Sequence, residues 1–207
     1  MSRYSPRARL TNSSTTSTVA NWFGNQFVDV PPLSSYESIA TATGTGSSTT
    51  ISFSSIPSGF KHLQIRGIGR SDGVSTSLTK LLLRFNSDSG TNYSWHYLLG
   101  DGGTASALGG ASATSIELRE GLIRASMLAN TMSAYLVDIL DAFSSSKNKT
   151  VRAFTGIEEN DTNTASRITI TSGLWMNTNA ITSIDLVSFS GNLSTSTTFA
   201  LYGIKEA

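Results

Sequence analysis

From Tyr36 onward apolar and polar residues alternate with a period of two, in short runs cut by turn clusters, which is the signature of half-buried β-strands. The alternation predicts strands over residues 36–43, 48–54, 61–69, 78–86, 94–99, 115–123, 133–141, 149–157, 167–175, 183–189 and 197–204. In the third of these Leu63, Ile65 and Gly67 oppose His62, Gln64 and Arg66; in the fourth Leu81, Leu83 and Phe85 oppose Lys80, Leu82 and Arg84. Each therefore offers one face to a core and the other to solvent. Two segments depart from this rule. Residues 135–140 are apolar on both faces except at Asp138, and the last strand sets Phe199, Leu201 and Gly203 against Ala200, Tyr202 and Ile204. A strand with two apolar faces is expected between two layers or at a subunit contact; for residues 135–140 a helix is the competing assignment. Tyr135, Val137, Ile139, Leu201, Tyr202 and Ile204 are thus the candidate core or oligomer-interface residues.

The turns are written in Pro57-Ser-Gly59, Ser71-Asp-Gly73, Asp88-Ser-Gly90, Asp101-Gly-Gly103, Gly109-Gly110 and Ser190-Gly191, residues that supply positive φ and Asx turns. Residues 100–114, built of Gly, Ala, Ser and Thr around Leu108, read as one long loop. Many short strands with few helical signals predict an all-β fold, with residues 36–207 as one domain.

Residues 1–35 are of another character. Arg3, Arg7 and Arg9 precede a Ser/Thr tract, followed by Trp22, Phe23 and Phe27 and then Pro31-Pro32. A segment with so little periodicity cannot bury a core by itself, whereas three large rings can anchor it to a partner. We read it as an extended N-terminal attachment arm, with those three arginines and three aromatics as the partner-binding candidates; the alternative is an arm that folds back on its own domain.

Composition narrows the chemistry. Of 207 residues 14% are charged, and the net charge of +1 provides no field for nucleic acid or an anionic membrane. No stretch approaches the roughly 20 apolar residues of a membrane span, and the basic N-terminus lacks an apolar signal core, so neither membrane insertion nor export by a standard signal is expected. The absence of cysteine excludes disulfides and thiolate sites. His62 and His96 lack a second imidazole at ligand spacing, so no metal or cofactor is expected. The run from Asn86 to Asn92 has oxygen donors on alternate residues, as in a Ca²⁺ loop, but Tyr97 stands where the bidentate acid would be. Glu158, Glu159 and Asp161 read as a solvated loop tip rather than a catalytic pair, and no nucleophile or phosphate-loop motif occurs. The chain is therefore expected not to be an enzyme. One aromatic set stands apart: Tyr93, Trp95 and Tyr97 share a strand face, which would be core or seam if buried and a sugar-stacking surface if exposed.

Four segments together carry a family resemblance. They are Ile51-Ser-Phe-Ser-Ser-Ile-Pro-Ser-Gly-Phe-Lys-His-Leu-Gln-Ile-Arg-Gly-Ile68, Phe85-Asn-Ser-Asp-Ser-Gly-Thr-Asn-Tyr-Ser94, Ser172-Gly-Leu-Trp-Met-Asn-Thr-Asn-Ala-Ile-Thr-Ser-Ile184 and Thr198-Phe-Ala-Leu-Tyr-Gly-Ile204. In this order they resemble a group of tailed-bacteriophage virion proteins, named structural, decoration or tail-fibre proteins. The resemblance implies a jelly-roll sandwich working as a homotrimer in the phage particle, assembled in the host cytoplasm. It also implies partners: the major capsid protein for a head decoration or head fibre, tail and fibre proteins for a tail location, or a host glycan for a receptor-binding tip. The arm lies outside the resembling segments.

Overall fold

The computed structural model describes residues 35–74, 79–160 and 166–205, and the β body begins at Tyr36. The arm candidates Arg3, Arg7, Arg9, Trp22, Phe23 and Phe27 lie outside the described residues. Twelve strands form the body: β1 (Tyr36–Thr43), β2 (Thr50–Phe53), β3 (His62–Gly69), β4 (Thr79–Phe85), β5 (Tyr93–Gly100), β6 (Ala105–Ala113), β7 (Ile116–Leu122), β8 (Ser133–Leu140), β9 (Lys149–Ile157), β10 (Arg167–Trp175), β11 (Ile184–Ser188) and β12 (Thr198–Ile204).

They make two antiparallel sheets, an eight-stranded one ordered β1-β12-β3-β8-β9-β10-β5-β6 and a four-stranded one ordered β2-β11-β4-β7. Eight of the strands fall in the interleaved orders β1-β12-β3-β8 and β2-β11-β4-β7, which is the double Greek key of a jelly roll. The other four are two excursions, β5–β6 between β4 and β7 and β9–β10 between β8 and β11. Both add to the same side of the large sheet, beyond β8. The fold is thus all-β as the alternation predicts, with one sheet wider than the other.

The core lies between the sheets. Leu63, Ile65, Tyr135, Val137, Ile139, Val151, Phe199 and Leu201 of the large sheet face Ile51, Phe53, Leu81, Leu83, Ile116, Leu118, Ile184 and Leu186 of the small one, all buried. At one end the rings of Phe85, Tyr93 and Trp175 cluster, with Phe85 and Trp175 centroids 5.5 Å apart and Tyr93 stacked on Trp175 at 6.3 Å. The Tyr93 hydroxyl accepts from Phe85 N and donates to Asp88 O, both at 3.1 Å.

Lys149 belongs to this end too: it opens β9 in phase with Val151, Ala153 and Ile157, on the face that turns inward. Its side chain is wholly buried, in register with Trp175 across β9 and β10. The ammonium donates to the carbonyls of Ser144 (2.7 Å), Lys147 (2.8 Å) and Thr178 (3.1 Å), tying the loops after β8 and β10 together. Burial holds its pKa below the ordinary lysine value.

Residues 105–113 correct the reading of 100–114 as a loop. β6 pairs with β5 over seven positions, from Tyr93↔Ala113 to Gly100↔Ala105, with a bulge where Ser112 adopts φ 52°. Low-propensity residues hold a strand here because β5 lends them side chains. The Trp95 ring lies across Gly110 and the His96 ring across Gly109, so closely that a Cβ at either glycine would sit within 3 Å of ring atoms. Aromatic cover of a cross-strand glycine replaces the packing that glycine itself lacks.

Candidate assembly surface

The two faces of the large sheet differ in what covers them. Its inner face packs on the small sheet, and its outer face has no layer over it among the described residues. On that outer face the register aligns side chains strand by strand. Leu98 of β5 pairs with Ile170 of β10, Ile170 with Phe154 of β9, and Phe154 with Leu136 of β8. The row then continues through Arg66 of β3 to Ala200 of β12. A parallel row runs Ile168, Gly156, Ala134 and Ile68. The six large apolar side chains of these rows are between 37% exposed (Leu136) and 55% exposed (Leu98 and Ile170).

A polar line borders the apolar rows. Gln64 Nε2 donates to Asp138 Oδ1 at 2.7 Å, Arg66 Nε donates to Gln64 Oε1 at 2.7 Å, and Arg152 lies 4.0 Å from Asp138. The Arg66 guanidinium sits over the rings of Tyr36 and Tyr202, 5.8 and 5.9 Å from their centroids. Beside it the surface dips into an open depression of about 600 Å³ lined by Arg66, Ile68, Leu136, Thr198, Ala200 and Tyr202. Apolar centre and polar rim are the anatomy of a protein–protein contact.

The sequence-predicted interface residues divide between the two faces. Tyr135, Val137, Ile139 and Leu201 lie in the core of the sandwich. Tyr135 meets Phe199 edge to face at 5.4 Å and its hydroxyl donates to Gly121 O. Tyr202 and Ile204 lie on the opposite face, half-buried, and Tyr202 lines the depression. Alternation along the sequence identifies both faces of β12 as apolar but not the apolar row that crosses β5, β10, β9 and β8, because cross-strand register is absent from local pattern. Leu98, Phe154, Ile168 and Ile170 were therefore not among the candidates.

Of the two alternatives for the aromatic row of β5, burial decides for core at two positions. Tyr93 and Trp95 are buried and point into the sandwich, so neither is a ligand-facing ring. Only Tyr97 is half-exposed, where the large sheet overhangs the small one. Even there Arg119 of β7 covers the rings, 5.9 Å from the Trp95 centroid and 5.6 Å from that of Tyr97, and its Nη1 is 3.4 Å from Glu117.

Other chemically suggestive side chains have structural bonds. His62 Nδ1 accepts from Asp141 N at 2.9 Å. The Asp88 carboxylate accepts from Gly90 N, Asn92 Nδ2 and Trp175 Nε1 at 2.8 to 3.0 Å, bonds that hold its pKa below the usual carboxylate value. Both its oxygens thus face donors rather than a free cavity for Ca²⁺. Glu158 accepts from Asn160 N and Ser166 Oγ, each at 3.0 Å, while Glu159 accepts from Leu128 N at 2.6 Å. Among the described residues no three His, Asp or Glu side chains converge as a metal site, and no helix is long and apolar enough to cross a membrane. No family model, no curated protein and no solved structure matches this chain.

Proposed function

We propose that this protein is a non-enzymatic structural component of a tailed-phage virion, a homotrimeric capsid decoration of the cement or head-fibre kind attached through residues 1–35. The observation that carries the assembly part of this reading is the apolar row across the outer face of the large sheet. Six half-exposed large side chains at roughly 200 Å² each leave on the order of 500 Å² of contiguous apolar surface in water, at the upper end of what monomers tolerate. Closed symmetry covers such a face at no risk of open-ended growth. The virion part rests on the resemblance of the four sequence segments, and the Arg- and Trp/Phe-bearing arm supplies the attachment chemistry.

Deleting residues 2–35 tests the reading directly. The truncated protein is expected to remain a folded oligomer and to drop out of purified particles. Truncated protein that still joined the particle would refute attachment through the arm. Cryo-electron microscopy of intact particles would then place it on head or tail. A second reading, a receptor-binding tail-fibre tip for a host glycan, has one observation in its favour: Tyr97 remains half-exposed at the overhang. Arg119 already occupies the ring faces, so a sugar would have to displace it, and a glycan array on the isolated protein distinguishes the two.

A further inference from the structure

We propose that the occupant of the outer face is a second copy of this chain, and that the contact is knob into depression: Phe154 of one subunit enters the hollow over β3 and β12 of its neighbour. This rests on the self-assembly reading and specifies its interface.

The first argument is area. The apolar rows leave on the order of 500 Å² exposed, and adding the accessible parts of Arg152, Arg66, Asp138 and Tyr202 brings the face near the ~800 Å² per partner of a stable contact. The second is chemistry. Leu98, Ile170, Phe154 and Leu136 carry no charge, so the matching surface must be apolar at its centre. The hollow beside them meets that requirement, with Ile68, Leu136 and Ala200 in its lining and Arg66 and Tyr202 at its side. The third is shape. Phe154 offers the large exposed ring of the row, at 46%, while three strands away the small side chain of Ala200 lowers the surface. Knob and hollow lie side by side on one sheet, so each subunit presents both halves of the contact. The polar line on one flank sets the direction in which the copies meet, since reversing it would place Ile168 and Ile68 against Arg152 and Asp138.

Phe154→Glu removes the knob, and Ala200→Tyr fills the hollow; both positions are solvent-accessible strand sites, so far-ultraviolet circular dichroism should match wild type. Multi-angle light scattering of the full chain at micromolar concentration is the readout. Wild type should be a closed oligomer, and each variant alone should fall to the mass of one 21.9 kDa chain. The decisive step is mixing, because Phe154→Glu keeps an intact hollow and Ala200→Tyr an intact knob, so an equimolar mixture should recover a 1:1 complex. A monomeric wild type overturns both self-assembly and this interface. An oligomeric wild type that either variant leaves intact overturns the interface alone. Two monomeric variants that do not recombine show row packed against row, which also refutes the knob-into-depression contact. Should Ala200→Tyr lose its fold, Ile68→Glu alters the same hollow and takes its place in the mixture.

Discussion

Replacing Lys149 by methionine keeps most of the buried stem and deletes the ammonium, which isolates the polar part of an unusual arrangement. Two opposing quantities decide the outcome. Removing a buried charge relieves a desolvation cost of several kcal/mol. Against that, three carbonyls lose a charged donor, and hydrogen bonds to charged groups contribute about 1.5–3 kcal/mol each. The bonds at 2.7 and 2.8 Å to Ser144 and Lys147 are short, and Thr178 comes from a separate loop, so none is replaced by local backbone rearrangement. Each buried carbonyl left without its donor costs about 1–3 kcal/mol, and the relief of desolvation together with the retained stem offsets part of that sum, so we expect Lys149→Met to lose about 2–4 kcal/mol. For a domain of this size that lowers Tm by about 5–15 °C, read by thermal and urea unfolding monitored through near-ultraviolet dichroism. A variant as stable as wild type, or more so, would show that desolvation outweighs the three bonds and would refute the reasoning.

Asp88→Ala leaves the buried Trp175 Nε1–H without its acceptor and should cost about 1–3 kcal/mol. Asp88→Asn, which retains one acceptor oxygen, should fall between, and millimolar Ca²⁺ should not move Tm because donors already occupy both oxygens; a clear upward shift with Ca²⁺ would contradict this. Alkaline pH gives a third test. Burial pushes Tyr93 up to about 12 and raises Tyr135 as well, so these tyrosines ionise first in the unfolded chain, which then holds fewer protons than the native one. Stability should therefore fall as pH rises above about 10. Lys149 acts oppositely, its lowered pKa adding stability as pH approaches 10.5 and nothing beyond. The urea midpoint should pass its maximum and decline steeply above pH 10, less so in Tyr93→Phe; a flat profile there would refute the burial of both phenols.

What the sequence by itself determined is the set of local properties: strand periodicity, turn positions, the all-β class and the inner faces of strands such as β3 and β4. Leu63, Ile65, Leu81 and Leu83 are legible because alternation is set by the backbone pleat and needs no knowledge of neighbours. The composition change before Tyr36 is legible for the same reason. Tertiary structure alone decided everything that depends on which strand lies beside which. β6 is a strand because Trp95 and His96 cover its glycines, a contact between residues 13 to 15 apart that no propensity records. Tyr93 and Trp95 are core rather than ligand platform because the insertion β5 lies against β10 with the small sheet beneath. Lys149 is a buried tie because three carbonyls from two loops converge on it. The outer apolar row exists because four strands, drawn from two separate stretches of chain, align Leu98, Ile170, Phe154 and Leu136 in register. Register is a property of pairs of strands, and a single chain read in order carries no direct signal of it.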